Sequence, residues 1–147
     1  MGPLLFIIYI NDLSKASDLL TSILFADDTT LLDEDYDLTT LVNRFNEELI
    51  KIVHWLNANR LSLNIDKTNY MIFRPQNKNE ENPDITINGT VINQVDKAKF
   101  LGVIIDDKLS WAEHTKYVIS KISKGIGIII KARKYFNKNT LLRTITY

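Results

Sequence analysis

Two adjacent carboxylates stand between two short apolar segments in Ile23-Leu24-Phe25-Ala26-Asp27-Asp28-Thr29-Thr30-Leu31-Leu32. The flanking segments, residues 22–26 and 29–32, contain β-branched and large apolar residues and no charge, which is typical of buried strands. Asp is depleted in strands and tolerated in tight turns, so the Asp-Asp pair predicts a turn between them. The segment therefore predicts a β-hairpin with two carboxylates at its tip.

Two acids held this closely repel each other unless a cation lies between them or one of them stays protonated. Hard divalent cations such as Mg²⁺ take carboxylate oxygens as ligands, so one interpretation is a metal site. The other interpretation is an acidic turn exposed to water, and the dipeptide alone favours it. The rest of the chain is needed to decide between them.

Composition limits the chemistry that is open to the chain. The 147 residues are 45% hydrophobic and 24% charged, which suits one core or part of a larger domain. The absence of cysteine excludes disulfides and thiolate metal sites, and the two histidines, His54 and His114, form no zinc motif. Catalysis would therefore rest on carboxylates, lysines, arginines or hydroxyls.

The net charge of zero conceals a gradient along the chain. Residues 1–60 hold ten acidic and four basic side chains, whereas residues 111–147 hold eight basic side chains and one acid, Glu113. This distribution indicates metal binding towards one end and phosphate binding towards the other.

The first 60 residues predict two helices around the hairpin. Pro3 suits a first helical turn, and the apolar run Leu4–Ile10 predicts a helix over residues 3–14 that is buried nearly all round, as in the interior of a larger domain. The run is too short to span a membrane, and no basic residue precedes it as in a signal peptide. Apolar residues at three- and four-residue steps predict an amphipathic helix of about twenty residues, with Leu38, Leu41, Phe45, Leu49, Ile52 and Leu56 on its apolar face.

Shorter elements are predicted in the second half. Residues 69–73 and 98–105 read as strands, the latter interrupted by Gly102, and Asn88-Gly89 predicts a type I′ hairpin turn between residues 85–87 and 90–92. Ser110 and Glu113 fit a capping box for a helix that runs to about Phe136. Its inner face is predicted to hold Trp111, Val118, Ile122, Ile126 and Ile129, and another helix is predicted over residues 140–147.

The order of these signals resembles the reverse transcriptases of non-LTR retrotransposons over essentially all 147 residues. Residues 2–13 look like the helix that follows the template-contacting motif, and Phe25-Ala26-Asp27-Asp28 resembles the catalytic aromatic-X-Asp-Asp hairpin. Trp55-Leu56, Leu61-Ser62-Leu63-Asn64 and Lys67-Thr68 are similar to the next palm motif. Lys99 to Val103, followed by Asp106, Leu109, Trp111 and His114, resembles the primer grip and the beginning of the thumb.

The resemblance implies an α+β fold: a partial polymerase palm of antiparallel strands backed by helices, followed by a helical thumb segment. Residues 1–107 would form the C-terminal part of the palm with the primer-grip strands, and residues 108–147 a truncated thumb. The parent activity would be RNA-templated DNA synthesis by two-metal nucleotidyl transfer. Its partners would be an RNA template, a DNA primer and dNTPs, and its cofactor would be Mg²⁺ or Mn²⁺. Its location would be the nucleus, although no targeting signal is present.

The same resemblance implies roles for individual residues. Asp27 and Asp28 would bind metal, Phe25 would pack beneath the turn and contact the primer end, and Lys67 would protonate the departing pyrophosphate. Phe100, Leu101 and Gly102 would hold the primer backbone, with Gly102 allowing close approach, although an ordinary core strand explains Phe100 and Leu101 equally well. A solvated loop is the other interpretation of Lys67.

A basic face on the last long helix would contact nucleic-acid phosphates, which positions the backbone without reading sequence. An ordinary soluble helix also carries lysines, but it usually mixes in more acids. The members of this face are Lys116, Lys121, Lys124, Lys131, Arg133, Lys134 and Lys138.

Departures from the family pattern suggest that the chain is inactive by itself. No earlier strand supplies the additional metal-binding Asp, the fingers are missing, and Met1 stands where the family has glutamine before Gly2-Pro3. The alternatives are a fragment of an intron-type reverse transcriptase, a non-catalytic nucleic-acid-binding module, and an interaction protein with no nucleic-acid role.

Overall fold

The computed structural model describes residues 2–74 and 83–136. Over these residues the fold is α+β, as predicted, with three α-helices and eight short strands. The helices are α1 (Gly2–Ile10), α2 (Leu38–Ala58) and α3 (Ala112–Ala132). The strands are β1 (Thr21–Phe25), β2 (Asp28–Leu32), β3 (Asn69–Tyr70), β4 (Thr86–Ile87), β5 (Thr90–Val91), β6 (Asn93–Gln94), β7 (Lys97–Phe100) and β8 (Val103–Asp106).

The strands form two-stranded pairs rather than one continuous sheet within these ranges. Three pairs are antiparallel hairpins, namely β1–β2, β4–β5 and β7–β8, and β3 pairs with β6 in parallel. The chain divides into two compact units, residues 2–70 with 83–95 and residues 71–74 with 96–136. The β7–β8 hairpin and α3 belong to the same unit, and the predicted palm–thumb boundary after residue 107 stays a prediction.

The core of the first unit lies on both sides of α2. Val42, Leu49 and Val53 pack against Ile85, Ile87 and Ile92 of the β4–β5 region. Ile52 and Leu56 pack instead against Ile10, Leu13 and Leu20. The predicted helix of about twenty residues is thus confirmed at 21 residues, and Asp37 caps it by accepting a 2.7 Å hydrogen bond from the Thr40 backbone N–H.

The prediction for the first helix is wrong in length and in burial. The α-helix ends at Ile10, and residues 11–15 continue as a 3₁₀ turn. Leu4 and Ile8 are 66% and 65% exposed, because the helix contacts the α2 core along one side only within the described chain. The Tyr9 hydroxyl donates to the Asn59 carbonyl, which ties α1 to the end of α2.

Residues with positive φ form the turns of the β4–β5 and β7–β8 hairpins. The hairpin around Asn88-Gly89 is confirmed, with φ of 52° and 76° at the two turn residues. The predicted single strand over residues 98–105 is wrong, because Leu101 and Gly102 adopt φ of 46° and 90° and reverse the chain into the β7–β8 hairpin. The predicted strand over residues 69–73 shrinks to the two residues of β3.

The beginning of α3 differs from the predicted capping box. Asp106 accepts the backbone N–H and the hydroxyl of Ser110, both at 2.9 Å, and Glu113 bonds to Lys97 and Lys116 instead of reaching back to Ser110. Trp111, with φ of 61°, is the residue before the helix and offers no side-chain cap.

The far end and the apolar face of α3 also differ from prediction. The helix ends at Ala132, and no residue of it is buried. The predicted inner-face residues Trp111, Ile122 and Ile126 are exposed, since no described element of their unit covers that face. The helix predicted over residues 140–147 lies outside the described residues.

Candidate functional site

The β1–β2 hairpin presents its two carboxylates differently. Ala26 and Asp27 form the turn, and Asp28 is the first residue of β2, paired with Phe25. The predicted hairpin is therefore confirmed, but of the two acids only Asp27 lies in the turn. Ala26 has φ of 52°, a positive value that primed hairpin turns require and that usually favours glycine. Both carboxyl-bearing residues are exposed.

The hairpin has one face towards the core and one away from it. Leu24 and Leu31 pack against the α2 core, so the residues that alternate with them point the other way. Phe25 and Asp28 belong to this outer face, and Phe25 is 60% exposed. The prediction that Phe25 packs beneath the turn is wrong, because the strand pleat directs its ring away from the core.

A buried polar contact anchors the segment that leads into β1. The Ser17 hydroxyl donates a 2.7 Å hydrogen bond to the Glu48 carboxylate of α2 and accepts the Leu20 backbone N–H at 3.0 Å. The Lys51 ammonium lies 2.6 Å from the other carboxylate oxygen. The hydrogen bonds from Lys51 and Ser17 hold the pKa of Glu48 below its usual value. These bonds fix β1 relative to α2, and the sequence pattern offered no signal for them beyond an acid on the apolar side of an amphipathic helix.

Arg44 binds two carboxylates of the acidic loop that follows β2. Its guanidinium makes two hydrogen bonds to Asp33, of 2.9 and 2.8 Å, and one of 2.8 Å to Asp35. It also donates to the Glu34 carbonyl. Since these acids are engaged by Arg44, they are poorer candidates for metal ligands than the pair at the hairpin tip.

The hairpin tip offers carboxylate oxygens, which are the ligand type that a hard cation prefers, but it offers only two carboxylates. The described residues contain no group of three or more His, Cys, Asp or Glu side chains arranged to hold a metal ion. Mg²⁺ is commonly bound through one or two carboxylates with water and substrate phosphates completing the shell, so two exposed Asp side chains suit it. The metal-binding role of Asp27 and Asp28 stays a prediction.

Lys67 ends a short 3₁₀ turn, Ile65–Lys67, in the same unit. The Asn64 side chain caps this turn by accepting the Lys67 backbone N–H at 3.3 Å. The Lys67 side chain is exposed, and among the described residues no hydrogen bond or ion pair joins it to Asp27 or Asp28. Its predicted catalytic role remains untested by this arrangement.

The predicted primer-grip residues lie at a hairpin tip in the second unit. Phe100 is half-buried at the end of β7, and Leu101, 51% exposed, and Gly102 form the turn. A Cβ built on Gly102 meets no atom within 4 Å, so its positive φ, rather than crowding within the protein, calls for glycine. Contact with a primer stays a prediction for all three.

Three side-chain contacts join the β7–β8 hairpin to the start of α3. Glu113 bridges Lys97 and Lys116 at 2.8 and 2.6 Å, and these lysines lower its pKa to about 2. Nδ1 of His114 accepts the Ile104 backbone N–H at 3.2 Å on the free edge of β8. The Asp106–Ser110 bonds complete the connection, so the hairpin and the helix start are held as one structure.

One family model matches the chain, that of the reverse transcriptase (RNA-dependent DNA polymerase), over residues 1–105. The chain belongs to the reverse transcriptase family. Among curated proteins and solved structures, none matches the chain significantly. The matched range includes Asp27, Asp28, Lys67 and the Phe100–Gly102 turn, whereas α3 lies beyond it.

Membership in the reverse transcriptase family implies a nucleic-acid template and nucleotide substrates in general terms. The basic residues of α3 and its C-terminal turn that are described are all exposed, namely Lys116, Lys121, Lys124, Lys131, Arg133 and Lys134. Lys138 lies outside the described residues. Within the described ranges, no helix has the length and apolar character needed to cross a membrane.

Proposed function

We propose that this reverse transcriptase chain is the C-terminal part of a palm with the start of its thumb, from a non-LTR retrotransposon, and that Asp27 and Asp28 belong to its nucleotidyl-transfer site. The observation that carries the proposal is the exposed carboxylate pair at the β1–β2 tip, on a hairpin whose other face is anchored to α2. A rigid hairpin can hold two carboxylates in one place while leaving them open to a nucleotide and a primer end.

The chemistry of the proposed site requires charge at the phosphates to be neutralised. Mg²⁺, when bound, supplies this neutralisation and lowers the pKa of the primer 3′-hydroxyl. Asp27, in the turn, and Asp28, at the start of β2, would contribute the protein oxygens that hold it. The exposed Phe25 ring on the outer face would lie beside Asp28 and contact the primer end.

The remaining roles extend this proposal along the chain. Lys67, exposed at the end of a capped 3₁₀ turn, would donate the proton to the leaving pyrophosphate. Phe100, Leu101 and Gly102 would hold the primer backbone from the tip of β7–β8. The residues Lys99 to Val103, followed by Trp111 and His114, support the retrotransposon type over an intron-type enzyme.

A second candidate function is a nucleic-acid-binding module without catalysis. The exposed cations of α3 favour it. They lie beyond the matched range and would bind phosphates whether or not Asp27 and Asp28 bind metal. The two candidates differ in what they require of Asp27 and Asp28. The first needs both carboxylates, and the second needs neither.

Paramagnetic Mn²⁺, used in place of Mg²⁺, tests the metal-binding step on the 17.0 kDa chain. In two-dimensional NMR with a dNTP present, we expect Mn²⁺ to broaden the amide signals around Asp27 first, and Asp27→Asn to abolish this effect. Asp18→Asn, which removes an exposed acid elsewhere in the same unit, is the matched control and should change nothing. Broadening that persists in Asp27→Asn, or that centres on the loop held by Arg44, would reject the proposed site.

A further inference from the structure

A cation–aromatic cluster joins β7 to α3 in the second unit. The Tyr117 ring has Nζ of Lys121 at 4.8 Å and Nζ of Lys99 at 5.9 Å from its centroid. Both distances lie within the range of about 6 Å over which an ammonium is attracted to an aromatic ring. Lys99 belongs to β7, and Lys121 lies one helical turn after Tyr117 in α3. Ammonium groups from two separate elements therefore lie next to the same ring.

Ion pairs divide the lysines of this surface into two groups. Lys97 and Lys116 both bind Glu113, at 2.8 and 2.6 Å. Lys99 and Lys121 have no carboxylate partner among the described residues. Glu113 is also the sole acid in residues 111–147, so α3 itself offers no second carboxylate to pair with them.

The Tyr117 phenol responds to this charge. Its pKa lies below the usual value, chiefly because of the neighbouring Lys121 ammonium, with a further contribution from the charge of Lys99. Two ammonium groups thus lie beside one ring, and among the described residues neither forms an ion pair with a carboxylate. The ligand that suits such a site is an anion with oxygen acceptors.

We propose that Lys99 and Lys121, aligned by Tyr117, bind phosphate groups of the nucleic-acid backbone, whereas Lys97 and Lys116 stabilise the fold through Glu113. The proposal rests on the proposed function, because the reverse transcriptase family is what makes nucleic acid the expected anion. Tyr117 acts as a positioning residue. By restricting two flexible side chains before binding, its ring reduces the conformational entropy that they lose when they contact phosphate.

The salt dependence of binding distinguishes the two groups of lysines. Each phosphate contact contributes about 0.9 to the slope of log affinity against log salt concentration on duplex nucleic acid. With a fluorescent RNA–DNA primer–template hybrid and anisotropy over a KCl series, we expect Lys99→Gln and Lys121→Gln each to reduce the slope by about 0.9. Lys97→Gln, at a lysine of the same hairpin that is paired with Glu113, is the matched control and should leave the slope nearly unchanged.

Two variants test the positioning role of Tyr117. Tyr117→Phe keeps the ring and should bind the hybrid nearly as well as the wild type. Tyr117→Leu removes the cation–aromatic attraction and should weaken binding by about fivefold. Circular dichroism of both variants verifies that α3 remains formed. Equal weakening in both variants, or wild-type binding in Tyr117→Leu, would show that the ring does not align the lysines.

The outcomes separate this site from the proposed function. Binding whose salt slope depends on Lys124 and Lys131, but not on Lys99 and Lys121, would overturn the Tyr117 site and leave nucleic-acid binding intact. A slope change in Lys97→Gln equal to those in Lys99→Gln and Lys121→Gln would also overturn it, because pairing with Glu113 would then make no difference to phosphate binding. A wild-type chain that does not bind the hybrid at all would overturn both proposals.

Discussion

Ser17, in the segment before β1, donates a 2.7 Å hydrogen bond to Glu48 on α2, and both residues are buried. The contact links the hairpin that carries Asp27 to the helix that organises the first unit. A buried carboxylate is costly unless it is bonded, and Glu48 receives Ser17 on one oxygen and Lys51 on the other. The position of the candidate hairpin therefore depends on a polar contact just before the start of β1.

Removing the Ser17 hydroxyl should destabilise the first unit. Ser17→Ala leaves one oxygen of the buried Glu48 carboxylate without its donor, which should lower the free energy of unfolding by about 1–3 kcal/mol. Urea denaturation followed by circular dichroism measures this change. Ser14→Ala, at an exposed hydroxyl three residues earlier, is the control and should shift stability by less than about 0.5 kcal/mol. An equal loss of stability in the two variants would mean that the buried Ser17–Glu48 hydrogen bond contributes no more than an exposed hydroxyl does.

The second unit should lose stability in acid. Lys116 and Lys97 lower the pKa of Glu113 to about 2 in the folded state, below its ordinary value of 4.5. Because the folded pKa is the lower one, this stabilisation is complete above about pH 4.5 and is lost as the pH falls towards about 2. Denaturation midpoints from about pH 6 down to about pH 3 measure the loss.

Glu113→Gln isolates the contribution of this carboxylate. The variant should be less stable than the wild type at neutral pH, and the difference should shrink as the pH falls. Some acid sensitivity should remain, since the backbone N–H of Ser110 also holds the pKa of Asp106 below its usual value. A constant difference across the pH range would contradict the assigned role of Glu113.

Two glycines should respond to the same change in opposite directions. Gly102 has φ of 90° in the β7–β8 turn, so Gly102→Ala should destabilise the hairpin by roughly 1–2 kcal/mol. Gly125 lies inside α3, and a Cβ there meets nothing within 4 Å, so Gly125→Ala should stabilise the helix by about 1 kcal/mol. Thermal unfolding of both variants provides the comparison. Stabilisation by Gly102→Ala would show that the turn does not hold a positive φ.

Primer extension tests whether the 147-residue chain is active by itself. On an RNA template with a DNA primer, dNTPs and Mg²⁺, we expect no extended product, because two carboxylates alone supply few of the oxygens that a two-metal site uses. Asp27→Ala serves as the control for any signal observed. Product that disappears in Asp27→Ala would overturn this expectation and would establish that the chain polymerises DNA unaided.

Local chemistry was sufficient to predict several features from sequence. The apolar repeat predicted α2, Asn88-Gly89 predicted the β4–β5 turn, and two acids between apolar strands predicted the β1–β2 hairpin. Each of these depends on interactions within a few residues, such as turn dihedrals and the periodicity of one helix face. The motif order also predicted the reverse transcriptase family, which the family model confirms.

Other features depended on which elements lie next to one another. The sequence around Gly102 is compatible with a strand or a turn, and the pairing of β7 with β8 selects the turn. Glu113 fits a capping box by spacing, but Lys97 from β7 competes successfully for its carboxylate.

The sequence by itself determined the family, the long amphipathic helix and the carboxylate pair at a hairpin tip, because these are encoded in neighbouring residues. Only the tertiary structure decided that Phe25 faces outwards and that Arg44 holds the acidic loop. It also decided that Ser17 and Glu48 anchor the segment that leads into β1. The physical reason is that burial and ion pairing depend on two surfaces in contact. One stretch of sequence specifies only its own surface and not the surface that packs against it.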